Sequence, residues 1–564
     1  MNMKIRIGDL NRLRKILVTV FEAGGGIFIE QMRIKYLVPF YCRIRFFLRK
    51  PPADRCLIRF KYGEKVVSPK ALREVLEKLG PTFIKFGQVL SLRADLVGGE
   101  ISTELAKLQS EVRPFSYHEA RRIIEEELGD PPEKLFNAFE EKPVAAASLA
   151  QVHRAFLKEG AEVAVKIQRP YIKNTIEQDI HILNYLAHLA ERIVAAWKPY
   201  QPIRVVNEFA EWTLRELDFS VEGHNADRFR FIFKDNPHIS IPRIYWDYTT
   251  SKVLTMEFVH GVKANDLAGM EELGVDRKLL ASYGIDALLQ QFLIDGFFHA
   301  DPHPGNFFAL KDNILCLHDF GMVGYLSQDE RKELVSCFSA FLNKDVESFV
   351  KHFMHLAIIS EESDVEGLEK DVSGILSGLF FSPKQSSVAG IFFRAINKGA
   401  KHRLSFPSDL ALFGKAIVTA EAMGLKIYPE FDLNKEFAPF ITKFWKTYLK
   451  PRKLLQTFET EILDYLQFLK TLPEKVDKIL HRVEKGQISI KLDTEELLRI
   501  KSEYDRQDDL RILGTGLAVV FLVLIGLLYA EGQKTLFGFY LSNIALGLFI
   551  ALLIWFLVKV FRKH

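Results

Sequence analysis

Three short segments of the chain carry the charged and amide side chains with which proteins bind phosphates and divalent metal ions. Val163-Ala-Val-Lys166 ends on a lysine, and His299-Ala-Asp-Pro-His-Pro-Gly-Asn306 precedes Leu317-His-Asp-Phe-Gly321 farther along the chain. Phosphoryl transfer from ATP needs a lysine on the α- and β-phosphates, an Asp beside the acceptor, and an Asn and a second Asp that hold Mg²⁺. The order and spacing of the segments fit this set with catalytic Lys166 and Asp301 and with metal ligands Asn306 and Asp319.

The same segments allow a second interpretation. A His-x-Asp-x-His pattern, here His299, Asp301 and His303, can converge on the metal ion of a hydrolase. That interpretation leaves Lys166 and Asp319 without a role, so phosphoryl transfer accounts for more of the sequence.

The elements that must position these side chains differ along the chain. Residues 1–130 are mostly helical, with apolar residues at intervals of three and four. Residues 143–168 change to strand character, which places Lys166 on the opposite face of its strand from the neighbouring valines and isoleucine. Residues 253–259 form a further apolar strand, and helical patterns dominate again from Leu279. We therefore predict an α+β fold with a small strand-rich lobe and a larger helical lobe.

Two uncharged apolar runs, 512–530 and 535–558, lie near the C-terminus with four residues, Glu531-Gly-Gln-Lys534, between them. Each run is close to the ~20 residues of a membrane-spanning helix, so we predict a two-helix membrane anchor over 511–560. Basic residues flank both ends of this hairpin, and the positive-inside rule then places the rest of the chain in the cytoplasm. The predicted location is the inner (cytoplasmic) membrane, with the protein as a multi-pass protein. A hairpin buried in a protein core is the alternative.

The distribution of charged residues and cysteines limits the kinds of partner and compartment that we expect for the protein. The net charge of +4 hides a basic N-terminal region, since residues 1–50 hold 11 Lys and Arg against 3 Asp and Glu. This pattern suits an anionic membrane surface or an ordinary solvated helix face. It comes without a nucleic-acid-binding motif, so nucleic acid is not an expected partner. The four cysteines form no C-x-x-C pair, which fits a reducing compartment.

Five features together resemble the UbiB family of atypical protein-kinase-like proteins over nearly the whole chain. They are Lys85-Phe-Gly-Gln88, Val144-Ala-Ala-Ala-Ser148 leading to Gln151-Val-His153, Val163-Ala-Val-Lys166, Glu216-Leu-Asp218 with Glu222, and His299 to Asn306 followed by Asp319-Phe-Gly321. The C-terminal hairpin also resembles that of bacterial members. The resemblance implies a protein-kinase-like two-lobed fold, binding of ATP and Mg²⁺, and a role supporting ubiquinone or other isoprenoid-lipid metabolism.

The resemblance also implies roles for individual residues. It assigns Lys166 to the nucleotide phosphates, with Glu222 as its ion-pair partner. The other residues implied at the nucleotide are Val144, Ala145, Ala146, Ala147, Ser148, Val152, Glu257 and Val259. The residues implied to gate the site are Lys85, Gln88, Glu216 and Asp218. Which carboxylate pairs with which lysine stays open, because Asp218 and Glu222 share a helix face whereas Glu216 and Glu222 do not.

Three departures from ordinary protein kinases follow from the residues themselves. The phosphate loop is rich in alanine, around Ala145, where a kinase has glycines that let backbone N–H groups approach the phosphates. Ser327-Gln-Asp-Glu330 predicts a capping box that opens a helix soon after Gly321, which leaves little room for a segment that binds a peptide. His303 stands where protein kinases usually carry a lysine beside the transferred phosphate. These departures argue against routine phosphorylation of peptides.

The predicted domains are a basic amphipathic helical region over 1–70, a helical extension over 71–134, a kinase-like domain over 135–505 and the hairpin. Within the kinase-like domain the lobes cover 135–260 and 261–505. The function that we predict is ATP hydrolysis or phosphoryl transfer that supports quinone or isoprenoid-lipid metabolism, with membrane lipid and quinone-biosynthesis enzymes as partners. A nucleotide-gated scaffold with negligible turnover and a small-molecule kinase are the alternatives.

Overall fold

The computed structural model describes most of the first 448 residues of the chain. The described residues are 7–40, 42, 57–61, 64–92, 97–108, 113–194, 201–360, 363–380 and 387–448, with 535–536, 539–540, 547 and 550 farther on. The chain divides into two compact units, Met1–Lys450 and Pro451–His564. The predicted site residues all belong to the first unit.

In the residues that the structure describes, the N-terminal region is mainly helical, as predicted, and contains a short β-hairpin. Its elements are α1 (Leu10–Val20), α2 (Gly26–Gln31), β1 (Ile58–Lys61), β2 (Glu64–Val67), α3 (Pro69–Leu79), α4 (Pro81–Leu92) and α5 (Gly99–Leu105). Gly87 of α4 is the glycine of the Lys85-Phe-Gly-Gln88 motif. A Cβ at this position would clash with Leu108 and lie 2.7 Å from Leu76, so the absence of a side chain lets α4 pack closely on its neighbours.

The strand-rich lobe follows. Its elements are α6 (Tyr117–Leu128), α7 (Pro132–Leu135), β3 (Phe136–Phe139), β4 (Ala145–Ala146), β5 (Ala150–Leu157), β6 (Glu162–Gln168), α8 (Ile172–Ile193), α9 (Pro202–Glu216), α10 (Phe219–Ile232), β7 (Ile239–Ser240) and β8 (Val253–Glu257). An antiparallel sheet has the strand order β3-β5-β6-β8, and β4 pairs with β5 at its side.

Strand β6 shows how the sheet aims Lys166. Val163, Val165 and Ile167 are fully buried in a cluster that includes Ile124 of α6. Because successive side chains on a strand point to opposite faces, Lys166 faces away from this cluster. The predicted placement of the lysine on its strand is confirmed.

The helical lobe completes the first unit. Its elements are β9 (Val262–Lys263), α11 (Leu267–Glu272), α12 (Arg277–Leu289), β10 (Phe297–His299), β11 (Phe307–Ala309), β12 (Leu315–Leu317), β13 (Val323–Tyr325), α13 (Gln328–Leu342), α14 (Val346–His355), α15 (Val365–Phe380), α16 (Val388–Gly399), α17 (Ser408–Ile427) and α18 (Leu433–Tyr448). Its core is built around phenylalanine rings, with Phe413 of α17 in edge-on contact with Phe292 and Phe392. The short strands β10 to β13 and the loops between them contain the two motifs at 299–306 and 317–321. The α+β fold predicted from the sequence is therefore confirmed.

The membrane prediction requires a correction. Thr535–Leu536 (β14) and Phe539–Tyr540 (β15) pair as antiparallel strands at the point where the sequence predicted the start of a second spanning helix. Thr, Phe and Tyr favour strands, and an apolar run alone does not separate a strand from a helix. Among the residues that the structure describes, no helix has both the length and the apolar character needed to cross a bilayer. The predicted multi-pass location in the cytoplasmic membrane is contradicted, and most of the predicted anchor, 511–560, lies outside the described residues.

A buried hydrogen-bond chain in the strand-rich lobe makes the stability of the fold depend on pH. The His153 Nδ1–H donates to the Glu140 carbonyl oxygen at 2.8 Å, so the ring Nε2 accepts from the Gln151 amide at 2.8 Å. The Gln151 amide oxygen accepts in turn from the Phe115 N–H at 2.9 Å. Burial lowers the pKa of His153, although the bond to Glu140 opposes this effect. The neutral ring is therefore part of the folded structure.

We expect the protein to lose stability as the pH falls below about 6.5, the usual pKa of an unfolded histidine. A histidine whose pKa is depressed by folding contributes stability above that pH and loses it on acidification, by at most about 1.4 kcal/mol per pH unit. His153→Gln should flatten the dependence of the melting temperature on pH between pH 7 and 5. His188→Gln, at an exposed helix position, is the control. Equal slopes in both variants would refute the assignment to His153.

Candidate active site

Lys166 of β6 forms the central ion pair of the site. Its Nζ lies 2.8 Å from both carboxylate oxygens of Glu222, in the first turn of α10. The side chain of Glu222 is 4 % exposed and that of Lys166 18 %. The aromatic ring of Phe219 lies below the ammonium, 5.2 Å from Nζ. The strand and the helix thus hold one fixed cation on the face of the sheet opposite the apolar cluster.

A second ion pair brings the N-terminal region to the same place. Lys85 of α4 pairs with Glu216, the last residue of α9. Asp218 instead begins α10, where its carboxylate accepts from the Ser220 N–H at 3.0 Å. Gln88 donates to the Leu108 carbonyl oxygen at 3.1 Å. The sequence left the pairing open, and the structure pairs Lys85 with Glu216 while it uses Asp218 as a helix cap.

Asp301 and Asn306 lie in the loop that follows β10. The Asn306 amide donates to the backbone oxygen of Asp301 at 3.1 Å, which leaves the amide oxygen of Asn306 available as a ligand. Oδ1 of Asp301 accepts from Nζ of Lys415 at 3.0 Å. Burial alone would raise the pKa of Asp301, but the Lys415 ammonium outweighs it and leaves that pKa below its usual value. Asp301 is therefore an ionised carboxylate at neutral pH.

Asp319 is the second aspartate of the site, and its backbone adopts the left-handed conformation with φ of 60°. Its Oδ1 accepts from the Gly321 N–H at 3.2 Å. Lys166 holds the pKa of Asp319 far below its usual range, against the opposing effect of burial. A Cβ at Gly321 would lie 3.7 Å from the side chain of Glu216 and 3.9 Å from that of Glu222. Asp319-Phe-Gly321 therefore lies against both ion pairs.

Two buried side chains hold this segment in place: Asn225, which the sequence did not single out, and His299, which it offered only as a metal ligand. The Asn225 amide of α10 donates to the Phe320 carbonyl oxygen at 3.0 Å. Nδ1 of His299 accepts the Asp301 N–H at 3.2 Å, so its proton lies on Nε2 and is donated to the His318 carbonyl oxygen at 3.3 Å. His299 thus links the backbone of the two loops that carry Asp301 and Asp319. The spacing of the motifs in the sequence does not indicate these contacts, because they form only when the loops are folded.

Comparisons with known proteins identify the architecture around these pairs. The ABC1 atypical kinase-like domain matches residues 107–353, and the UbiB helical domain matches residues 382–432. The "Probable protein kinase UbiB" of Marinobacter nauticus is 34% identical over 417 residues, which cover 73% of this chain and 76% of that protein. The chain belongs to the UbiB family.

Two further relatives widen the picture. The "Probable protein kinase UbiB" of Enterobacter sp. is 31% identical over 497 residues, 87% of this chain and 89% of that protein. "Protein ACTIVITY OF BC1 COMPLEX KINASE 7, chloroplastic" of Arabidopsis thaliana is 36% identical over 415 residues, 72% of this chain and 59% of that protein. The kinase-like domain model does not cover Lys85, which precedes residue 107. The site residues that it covers include Lys166, Glu216, Glu222, Asp301, Asn306 and Asp319.

The charges of the site fit a divalent cation. Four carboxylates, those of Glu216, Glu222, Asp301 and Asp319, share the described part of the site with the ammonium groups of Lys85, Lys166 and Lys415. Burial raises the pKa of Glu222 to about 7, and the attraction of Lys166 only partly offsets this effect. Burial alone would lower the pKa of Lys166, but Glu222 and Asp319 more than compensate and raise it. Oxygen ligands in excess over fixed cations are the donor set that Mg²⁺ prefers.

The residues predicted at the nucleotide lie on or next to strands of the sheet that carries Lys166. Val152 of β5 is the cross-strand partner of both Lys166 and Ala145, so Ala145 lies across β5 from the lysine. Val144, before Ala145–Ala146, is exposed, and Ser148 after Ala147 is buried. Ala145 and Ala146 of the loop therefore belong to the sheet, since they pair with β5. The loop differs in this respect from an open glycine-rich loop.

The end of β8 forms the other border. The backbone N–H of Glu257 donates to the Arg243 carbonyl oxygen at 2.8 Å, and its carboxylate accepts from the Arg243 N–H at 3.1 Å. The Phe258 N–H is taken up by the Glu162 carbonyl oxygen at 3.1 Å. Val259, half-buried, is the next residue on this border. Glu257 is thus occupied by a structural contact.

The alternative of a hydrolase metal centre at His299, Asp301 and His303 does not survive the geometry. His299 uses both ring nitrogens on backbone groups, and Nδ1 of His303 accepts from the Gly305 N–H at 3.2 Å. Within the described residues, the three side chains do not form a cluster of metal-ligating atoms. The spacing suggested convergence, but the turn at Pro304–Asn306 directs His303 back to its own backbone.

Lys415 is a further site residue that sequence reasoning missed. It lies on α17, inside the matched UbiB helical domain and 114 residues after Asp301. The signal that could have found it is weak. It is the one charged residue between Asp409 and Glu421, in an otherwise apolar stretch of helix. Such a lysine needs either a route to solvent or a buried partner.

Proposed function

We propose that the chain is an atypical kinase-like enzyme that binds Mg-ATP and transfers the γ-phosphoryl group to water or to a small acceptor. The observation that carries this proposal is the arrangement around Lys166, which is paired with Glu222 at 2.8 Å and lies beside ionised Asp319. Strand lysine, helix glutamate and Asp-Phe-Gly aspartate form the set with which kinases hold ATP and its metal.

Each side chain then has a role that its position supports. Lys166 binds the α- and β-phosphates, and Asp319 with the amide oxygen of Asn306 holds Mg²⁺. Asp301, which is ionised, orients the acceptor hydroxyl or water and accepts its proton. Bound Mg²⁺ would neutralise charge on the phosphate oxygens.

A small acceptor is favoured over a peptide. Helix α13 begins at Gln328, and the capping box predicted at Ser327 and Glu330 is confirmed. Few residues therefore remain after Gly321 for a peptide platform. Lys85 of α4 also reaches Glu216 beside the Asp-Phe-Gly segment, so α4 lies close to the site. Two relatives are named probable protein kinases, but that name describes those proteins and does not establish a peptide acceptor for this chain.

Family membership supports a proposal about the metabolic setting. We propose that the activity supports the metabolism of ubiquinone or of related isoprenoid lipids, with quinone-biosynthesis enzymes and lipid intermediates as partners. Quinone-like phenols added to the assay below, at constant ATP, test this part separately. Unchanged turnover over a series of such phenols would argue against it.

Release of phosphate from Mg-ATP tests the activity. We expect turnover by the full chain that falls about 10²- to 10⁴-fold in Asp301→Asn, which removes the general base, while Mg-ATP affinity changes little. Asp312→Asn, at an exposed loop position, is the matched control. Binding without turnover in the wild type would favour a nucleotide-gated scaffold. Labelled product from a metabolite pool would identify a small-molecule kinase.

Lys85 provides a separate prediction about gating. Lys85→Ala removes the contact between α4 and Glu216, and we expect it to change the rate of ATP hydrolysis or autophosphorylation more than the melting temperature. The reason is that Glu216 lies beside Gly321, so the tether acts next to the metal-binding aspartate. Lys78→Ala, at an exposed position of α3, is the control. Lower stability with unaltered nucleotide chemistry would show that Lys85 is only a packing residue.

A further inference from the structure

Helix α17 carries one lysine into the site from outside residues 107–353, the range that the kinase-like domain model matches. Nζ of Lys415 lies 3.0 Å from Oδ1 of Asp301, and the two side chains are 31% and 34% exposed. Its neighbours Phe413, Ala416 and Ile417 are buried in the core of the helical lobe. The backbone of the helix is therefore fixed, and the lysine extends from a rigid support to the carboxylate.

His303 occupies the loop position at which protein kinases usually carry a lysine beside the transferred phosphate. Its ring is exposed and accepts the Gly305 N–H at 3.2 Å, so it closes the turn at Pro304–Asn306. Because Nδ1 accepts this backbone hydrogen bond, it is directed at the loop's own backbone and not at a phosphate. The loop itself therefore lacks the expected lysine next to Asp301.

We propose that Lys415 supplies this cation from α17: its ammonium contacts the γ-phosphate of ATP and keeps Asp301 oriented towards the acceptor. The inference rests on the proposed function, because it assumes that ATP is bound with its γ-phosphate beside Asp301. In the transfer, the bond from the β,γ-bridging oxygen to the γ-phosphorus breaks and a bond from the acceptor oxygen to that phosphorus forms. ADP takes the electron pair of the broken bond, and Asp301 takes the acceptor proton. Lys415 stays protonated and stabilises charge on the transferred group.

A purely structural ion pair is the competing explanation, and the two make different predictions. A lysine that only anchors α17 to the loop affects ATP and ADP equally, since both share the α- and β-phosphates. A lysine on the γ-phosphate affects ATP alone. The ratio of the two affinities therefore separates the explanations, because it cancels general effects on the fold.

The experiment measures binding of Mg-ATP and Mg-ADP to the full chain by calorimetry, with phosphate release in parallel. Lys415→Met keeps the length and apolar stem of the side chain and removes its charge. We expect it to weaken ATP about 10-fold relative to ADP, the loss of one charge-assisted hydrogen bond. Lys415→Arg keeps the charge and should recover at least part of the ratio. Lys426→Met, at an exposed position in the last turn of the same helix, should leave it unchanged.

Every outcome decides the question. Equal effects of Lys415→Met on ATP and ADP, or none, overturn the inference and leave a structural ion pair. A wild-type protein that binds neither nucleotide refutes the proposed function, and the inference falls with it. If Lys415→Met does not fold, as judged by its melting curve, Lys415→Gln replaces it in the same comparison.

Discussion

Asp319→Asn should abolish Mg²⁺-dependent binding of nucleotide while the fold stays intact. The carboxylate of Asp319 is ionised, because Lys166 holds its pKa far below the usual range, and Mg²⁺ depends on such oxygen ligands. Asparagine also adopts the left-handed backbone conformation readily, so φ of 60° at this position does not penalise the variant. We expect Mg-ATP affinity to fall at least about 100-fold, more than the loss of an outer-shell partner usually causes.

The same chain offers a matched control for this variant. Asp312, in the turn between β11 and β12, has φ of 59° and an exposed side chain. Asp312→Asn therefore makes the same chemical change in the same backbone conformation, away from the site. Calorimetry with Mg-ATP and a melting curve for each variant give the comparison. Wild-type affinity in Asp319→Asn would show that the Asp-Phe-Gly segment does not bind the metal.

Lys166→Met should destabilise the fold and remove nucleotide binding together. Loss of one partner from a buried pair typically costs about 3–5 kcal/mol, because the other charge stays buried without compensation. The remaining Glu222 faces Asp319 and Glu216, so its pKa rises above the value of about 7 that it has beside Lys166. A carboxyl group with a pKa raised by folding stabilises the fold at acidic pH and loses that contribution as the pH rises through its folded pKa. The instability of the variant should therefore be greater at pH 8 than at pH 6.

A second substitution separates stability from function. Lys166→Met combined with Glu222→Gln removes both charges, and we expect most of the lost free energy of unfolding to return while nucleotide binding does not. The exposed pair Arg215 and Glu211, with side chains 65% and 60% exposed, is the reference. Its disruption should change the free energy of unfolding by less than about 1 kcal/mol. Full additivity of the two single substitutions at Lys166 and Glu222 would show that the pair is not coupled.

Local sequence patterns predicted the parts of the site that depend on one element. The two-residue period of β6 was enough to aim Lys166 away from the apolar cluster. The capping box at Ser327 was readable because both of its members lie within four residues. The order of Lys166, Asp301 and Asp319 along the chain predicted the same phosphoryl-transfer chemistry that we propose from the folded site. In each case the information lies in neighbouring residues or in a known order of motifs.

The remaining features depend on contacts between distant elements. Helix periodicity could not decide between Glu216 and Asp218 as the partner of Lys85, because the break between α9 and α10 makes Asp218 a helix cap. Lys415 resembles any lysine in an apolar helix until α17 packs beside Asp301. At the C-terminus, the same apolar composition suits a spanning helix and a strand, and Thr535–Leu536 is a strand. Tertiary packing decides these cases, and a single sequence does not contain it in readable form.

The ion pairs join segments that the ribosome produces far apart in time. Lys85 is synthesised 131 residues before its partner Glu216, and Lys415 is synthesised 114 residues after its partner Asp301. A nascent chain that ends before α17 already contains the strand lysine and the Asp-Phe-Gly segment, yet Asp301 has no Lys415 to neutralise it. Pairing over such long separations is slow, and partly folded chains expose apolar surface while they wait. Emergence of α17 is therefore the point in synthesis at which a newly made molecule can first pair Asp301 with Lys415.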